Sequence, residues 1–411
     1  MDDRLLPPEY GNRYSSETSR LPRLGNTTPP RMARPPKIPV IPEVTGAAES
    51  PERKPLDEND NGADQTTTFP WYNPRGWSLL KKVLVGLGAV IFIIVIILAP
   101  YYGVKLNRYP NYTALDYRIV DTYSGASFFE QFNYFTDEDP TDGHVVYVGE
   151  MAAHDLNLTY ATDTSAILRV DSFTPKAVNG RNSVRIESKK NYDTGLFIFD
   201  IIHTPYGCAT WPALWLVDGY NWPNNGEIDI LETTNMGSHG NEVTLHTTKG
   251  CSMDVKRKQT GSAVSKTCDD SMRGNSGCGV VGDSSTYGEA LNEAGGGVYA
   301  LELRDAGIRA WFFPRRAIPH NINDPTAIPD PSTWGTALAD FPSTECDIGS
   351  HFRNQSIIVN IDLCGQLGAQ NRFYHEMYKC PGSCEELVAN NPSAFEDAYW
   401  EFAGFKVYQA L

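Results

Sequence analysis

Basic residues are in short supply. Against 50 Asp+Glu the 411-residue chain sets 35 Lys+Arg, a formal charge of −15. That balance excludes a surface built to neutralise the phosphates of a nucleic acid. Long apolar runs are scarcer still: there is one, Val83–Ala99 (VLVGLGAVIFIIVIILA), so a multi-span transporter is excluded as well. No internal repeat is visible, and no His-Glu-x-x-His or clustered Cys/His spacing marks a metal centre. The expectation is a chain that needs no metal and no cofactor. Cysteine is absent from the first 82 residues, and all eight cysteines lie beyond them. Those 82 residues carry 12 Lys+Arg, 11 Asp+Glu and 13 of the 28 prolines, whereas the remainder sets 23 Lys+Arg against 39 Asp+Glu. So lopsided a chain implies two different compartments.

The apolar run divides them. Its uncharged stretch extends to Val104, and at ~1.5 Å per helical residue about 20 residues cross a bilayer core. Trp77, Lys81 and Lys82 end it on one side and Tyr101, Tyr102 and Lys105 on the other, as interfacial residues do. An apolar region that begins some 80 residues into the chain, with Pro100 at its end, is predicted to be an uncleaved signal anchor. Basic residues near the span are tied (Arg75, Lys81, Lys82 against Lys105, Arg108, Arg118), so the positive-inside count does not orient it. Cysteines confined to one side indicate an oxidising compartment there. Three N-x-S/T sequons, at Asn111, Asn157 and Asn354, fall on the same side as glycosylation candidates. The expectation is a single-pass type II protein with its C-terminal part lumenal or extracellular. Residues 1–80 form a disordered, Pro-rich cytoplasmic tail, a sorting element or a spacer. Residues 81–104 form the anchor, 105–116 a linker and 117–411 the catalytic domain. Eight cysteines allow 105 pairings. Bonds within the domain are expected, with Cys251, Cys268 and Cys278 pinning loops and Cys380 and Cys384 close in sequence.

From Tyr117 onward the chain reads as short strands between Gly, Asn, Asp and Pro. Examples are HVVYVGEM (144–151), SAILRVDSF (165–173), SVRIESKK (183–190), LFIFDIIH (196–203), EVTLHTT (242–248), VYALELR (298–304), IRAWFFP (308–314), SIIVNIDL (356–363) and YWEFAGFKVYQ (399–409). No long 3.6-period segment competes with them. The predicted class is all-β, one large two-sheet sandwich.

Chemistry concentrates in WPALWLVDGYNWPNNGEIDILETTN (211–235), where Glu227, Asp229 and Glu232 share one strand-like run. Packed like charges raise one another's pKa values, and retaining glycoside hydrolysis uses such a pair of carboxyls, roughly 5–5.5 Å apart. In a regular strand Glu232 would point away from Glu227 and Asp229. A β-bulge near Ile230–Leu231 returns it to their face and leaves Asp229 between the two glutamates. A solvated acidic strand or a calcium site is the plainer alternative, but calcium seeks an Asp/Asn-rich loop.

G-E-I-D-I-L-E, preceded by G-C-A-T-W-P-A-L-W and followed by T-L-H-T-T-K-G-C, resembles glycoside hydrolase family 16, above all the fungal endo-1,3(4)-β-glucanases or laminarinases. The likeness continues through 125–148, 297–319 and 357–365 and covers about 117–411. It implies a curved jelly-roll β-sandwich of concanavalin A type and a retaining endo-β-glucanase acting on β-1,3 or mixed β-1,3-1,4 glucans. It implies Glu227 as nucleophile, Glu232 as acid/base and Asp229 as helper. His246 would lie on the adjoining strand, as a site residue or as a core histidine. Trp215 and Trp222 match cleft tryptophans that stack on sugar faces. Trp211 is equally a core or a cleft residue, and Trp311 and Arg315 are weaker cleft candidates. Where relatives continue L-C-G-D-W-A-G, this chain has Leu363-Cys364-Gly365-Gln366-Leu367-Gly368, which changes one end of the cleft. The expected partners are a β-glucan and the bilayer, with no nucleic acid. A wall-remodelling transglycosylase using the same intermediate is the alternative, and a non-catalytic glucan-binding protein a further one that both glutamates argue against.

Overall fold

The computed structural model describes residues 76–272 and 274–411, so the tail expected over 1–80 lies outside the described residues as far as residue 75. The apolar run is the centre of a helix, Leu79–Asn107, that also takes in Lys81, Lys82 and Pro100. An 18-residue window of its Leu79–Gly103 portion has a mean hydropathy of 3.0, and none of that window is buried among the described residues. Twenty-five residues at ~1.5 Å each make about 37 Å, more than the ~30 Å of a hydrocarbon core.

Two antiparallel sheets of eight strands make up the rest, with a small two-stranded pair beside them. Crossing the front sheet in spatial order, the strands are Ser262–Ala263, Val280–Val281, Glu242–His246, Glu227–Glu232, Thr210–Val217, Gln355–Leu363, Arg185–Tyr192 and Phe132–Tyr134. The back sheet runs Ala339–Pro342, Gly307–Pro314, Gly297–Arg304, Gly195–His203, Tyr399–Ala410, Ala166–Arg169 and Thr159–Ala161, with Tyr117–Tyr123 paired to Tyr399–Ala410. This is the expected all-β sandwich. Alternation puts Trp400, Phe402, Phe405 and Val407 of the last strand into the space between the sheets, where they meet Leu214, Leu216, Ile228, Val243 and Leu245 of the front sheet. Burying a side chain of this size stabilises by roughly 1.5–3 kcal/mol. The front sheet's other face is therefore free to carry polar groups.

One strand expectation needs correction, and the structure specifies two features that the sequence left open. The segment 144–151 is a strand only over Val145–Tyr147; Gly149 then caps a helix, Glu150–Asp155, because its alternation is too short to continue. The helix runs into the linker 105–116 as far as Asn107. From Tyr109 the linker docks on the back sheet: the Tyr109 and Tyr112 hydroxyls donate to Asp340 at 3.0 and 3.2 Å, and Arg304 donates to the Thr113 carbonyl at 3.0 Å. The Arg309 guanidinium lies 4.0 Å from the Tyr112 ring centre. A fully buried carboxyl needs donors, and these tyrosines, with the Lys258 amide at 2.7 Å, supply them to Asp340. Lastly, the neighbours Cys380 and Cys384 go to different partners. The four disulfides are Cys208–Cys380, Cys251–Cys346, Cys268–Cys278 and Cys364–Cys384. Cys380 meets the entry to strand Thr210–Val217, while Cys384 opens a helix, Cys384–Asn390, against the exit of Gln355–Leu363.

Candidate active site

Strand Glu227–Glu232 begins at a forced turn. Gly226 has φ +70, and a Cβ there would lie 2.4 Å from the His351 carbonyl, so only glycine fits. Against Thr210–Val217 the pairing runs Glu227↔Val217, Ile228↔Leu216, Asp229↔Trp215, then jumps to Leu231↔Leu214 and Glu232↔Ala213. Ile230 is the extra residue of a bulge, where the sequence places it. Its apolar side chain is fully buried with those of Ile228 and Leu231, while Glu227 and Glu232 are both partly exposed. Asn241 pins the irregularity: its Nδ2 donates to the Ile230 carbonyl at 2.7 Å and its Oδ1 accepts from the Glu232 amide at 3.0 Å. A bulge orphans backbone groups, and a buried amide side chain is the residue type able to satisfy both a donor and an acceptor.

His246 stands across from Glu227 on the next strand. Its Nε2 is 3.3 Å from an Asp229 carboxyl oxygen, and its Nδ1 faces the Asn275 amide oxygen at 2.8 Å. Burial raises the Asp229 carboxyl well above its ordinary range, and the Glu227 and Glu232 charges raise it further. Burial also raises Glu227, an effect opposed by His246, the Trp222 indole and Arg185. For His246 burial works in the other direction, but the Asp229 bond and the carboxylates outweigh it and lift the imidazole above its usual value. Together these groups hold more protons at neutral pH than they would in water.

Trp211, undecided between core and cleft from the sequence, is half-buried, and its indole N–H donates to Glu232 at 2.9 Å. Trp215, opposite Asp229, donates to Asn360 at 2.9 Å, and Asn360 in turn reaches the Tyr147 hydroxyl at 3.2 Å. Arg185 lies between the Phe135 ring (4.4 Å) and the Trp215 ring (5.1 Å). Trp222 is 41% exposed, with its indole near enough to Glu227 to favour the charged carboxylate. The site thus joins Glu227, Asp229, Glu232, His246, Trp211, Trp215 and Trp222.

Two weaker candidates do not join it. Arg315 serves the back sheet: its guanidinium donates to the carbonyls of Gly295 and Ile201 and pairs with Asp200 at 2.6 Å. Trp311 is buried in a second apolar cluster, edge-on to Trp334, because its register on Gly307–Pro314 turns it to that side. Asn111, Asn157 and Asn354 are all exposed, and the Asn354 amide also donates to the buried Asp218 carboxylate at 2.8 Å. Asn241, Asn275, Asn360 and Arg185 carried no signal in the sequence, since each matters only through a partner far along the chain.

One donor atom each from Glu227, Asp229 and His246 lies within 4.8 Å of the others. Calcium takes six to eight oxygens, and two carboxylates beside an imidazole do not resemble that set. What they can do is carry and relay protons on a face lined with indoles.

A sequence model of XgeA-like, catalytic GH16 domains matches residues 132–408. A protein of Schizosaccharomyces pombe named a probable glycosidase is 43% identical over 307 residues, covering 74% of this chain and 72% of that one. An endo-1,3(4)-β-glucanase of Arthroderma benhamiae is 42% identical over 303 residues, covering 71% and 65%. The chain thus spans just under two thirds of that relative's length, and 46% of an Aspergillus clavatus relative's. Among solved structures, laminarinase 16A of Phanerochaete chrysosporium, with β-glucans in donor and acceptor sites, superposes with a TM-score of 0.69 at 45% identity, covering 71% of this chain and 99% of that one. An elongating GH family 16 β-1,3-glucosyltransferase gives 0.67 at 39% identity, covering 71% and 100%.

Proposed function

The chain belongs to glycoside hydrolase family 16, and on that premise we propose that its catalytic domain, 117–411, cleaves β-1,3 and mixed β-1,3-1,4 glucans internally and with retention. Glu227 attacks C1 of a glucosyl unit while Glu232 gives its proton to the glycosidic oxygen. The C1–O bond breaks, the leaving sugar departs with that proton, and a covalent glucosyl-enzyme forms. Glu232, now a base, takes a proton from water; the oxygen attacks C1 and releases Glu227. Asp229, with His246 behind it, separates the two glutamates and steadies Glu227. Trp215 and Trp222 offer flat apolar faces to the sugar rings. The observation that carries this reading is the Ile230 bulge, which turns Glu232 toward the face of Glu227 and Asp229. The test is product analysis with the full-length chain in detergent on laminarin, barley glucan and agarose. Shortened oligosaccharides from the first two alone are expected; cleavage of agarose alone overturns the proposal. With azide and an activated donor, Glu227→Ala should give an α-configured adduct and Glu232→Ala a β-configured one. Interchanged products would reverse the roles.

The 39%-identical glucosyltransferase supports a second reading, in which a sugar hydroxyl replaces water as acceptor. It predicts oligosaccharides longer than those supplied. The apolar helix is proposed to be a type II anchor, with the catalytic domain and its four disulfides on the lumenal or extracellular side. Protease digestion of sealed microsomes should leave residues 105–411 intact; their loss would reverse the topology.

A further inference from the structure

Resting on that reading, we propose that Glu242 is a positioning residue of the acid/base step, standing beside Glu232 across the strand pair so that the two carboxyls share one proton and keep the general acid loaded. Three observations carry this. In the antiparallel pairing Glu242 is directly opposite Glu232, the first match after the bulge, and directly opposed residues project to the same face with Cβ atoms ~4.5–5.5 Å apart. Its carboxyl lies against the backbone of Gly279, where a Cβ would come 1.8 Å from its Oε1, so the bare glycine is what admits it. No donor among the described residues holds it. By contrast Glu232 is held, by the Trp211 indole and through Asn241.

A half-buried carboxyl without a donor is costly to ionise, and more so beside a second one. Accordingly burial, then the Glu232 charge, push Glu242 up to about 7, against His246 on its own strand and Arg372 from the helical turn Arg372–Met377. Among the described residues, none from the Gly279 side adds a charge to this balance. Two carboxyls coupled in this way titrate as a pair. The proton the pair holds therefore persists to higher pH than an isolated carboxyl would keep it. In the first step that proton goes to the glycosidic oxygen, and the reacting bonds are those already given for Glu227 and Glu232.

The test is the Glu242→Gln variant of the full-length chain, which keeps the shape and removes the second carboxyl. For laminarin the alkaline limb of kcat/KM should move to lower pH by about one unit, so that the rate at pH 7 falls about tenfold while that at pH 5 stays within about twofold. An aryl laminaribioside with a good leaving group should lose little at either pH. Glu242→Asp should restore part of the limb. A limb that does not move, or equal losses at both pH values and on both substrates, overturns the inference. Failure of the underlying reading is separate: it would appear as Glu227→Ala and Glu232→Ala retaining activity on laminarin.

Discussion

Replacing Trp211 by phenylalanine isolates one hydrogen bond of the site. The indole N–H donates to Glu232 at 2.9 Å. A hydrogen bond to a charged group is worth roughly 1.5–3 kcal/mol and one to a neutral group about 0.5–1.5. The bond is therefore stronger to an ionised than to a neutral acceptor by about 1–1.5 kcal/mol, about tenfold at 1.36 kcal/mol per decade. Its loss removes that preference from the acid/base step proposed for Glu232. Trp211→Phe should move the alkaline limb of kcat/KM for laminarin upward by about one pH unit, the reverse of Glu242→Gln. The double variant should fall between them. The assay is the initial rate of reducing-end release from pH 4 to 9, paired with an aryl laminaribioside whose leaving group needs no protonation. Phenylalanine also thins the ring packing against Gly365, so the melting temperature is recorded in parallel. A limb that stays put or moves down, with equal loss on both substrates, refutes the reasoning and reduces Trp211 to packing.

Three further outcomes are expected. Asn241→Ala removes the two bonds that pin the bulge and leaves buried backbone groups unpaired, at ~1–3 kcal/mol each. It should lower stability in urea and cut laminarin hydrolysis far more than 100-fold only if Glu232 leaves its face; normal activity would show that the bulge holds without it. The double variant Tyr109→Phe, Tyr112→Phe strips Asp340 of two donors and should cost about 2–4 kcal/mol and several degrees of melting temperature, with kcat unchanged. An unchanged melting temperature would mean that the strap bears no load. Losing Cys208–Cys380, which closes 172 residues, should destabilise more than losing Cys268–Cys278, which closes 10, by about 2.5 kcal/mol in the chain-entropy account. Equal losses in paired Cys→Ser variants would argue against that account.

Much of the protein was decided locally and was legible in the residues. A 17-residue run without charge can only be an apolar helix or a buried one, and alternation every second residue picks out strands such as 196–203, 298–304 and 356–363. The spacing of Glu227, Asp229 and Glu232 demands a bulge if they are to act together, because side chains in a strand alternate with a period of two. What needed the tertiary structure is whatever depends on partners distant along the chain. Trp211 was ambiguous because an indole suits a core as well as a cleft, and only the neighbouring strand brings Glu232 to its N–H. Arg315 and Trp311 looked like cleft residues because charge and aromaticity do not say which sheet a strand joins. The pairing of Cys380 with Cys208 spans 172 residues and leaves no trace in spacing. The docking of Tyr109 and Tyr112 answers a buried Asp340 more than 220 residues away. Burial of a carboxyl creates a demand for donors, and burial is a property of the assembled sheets.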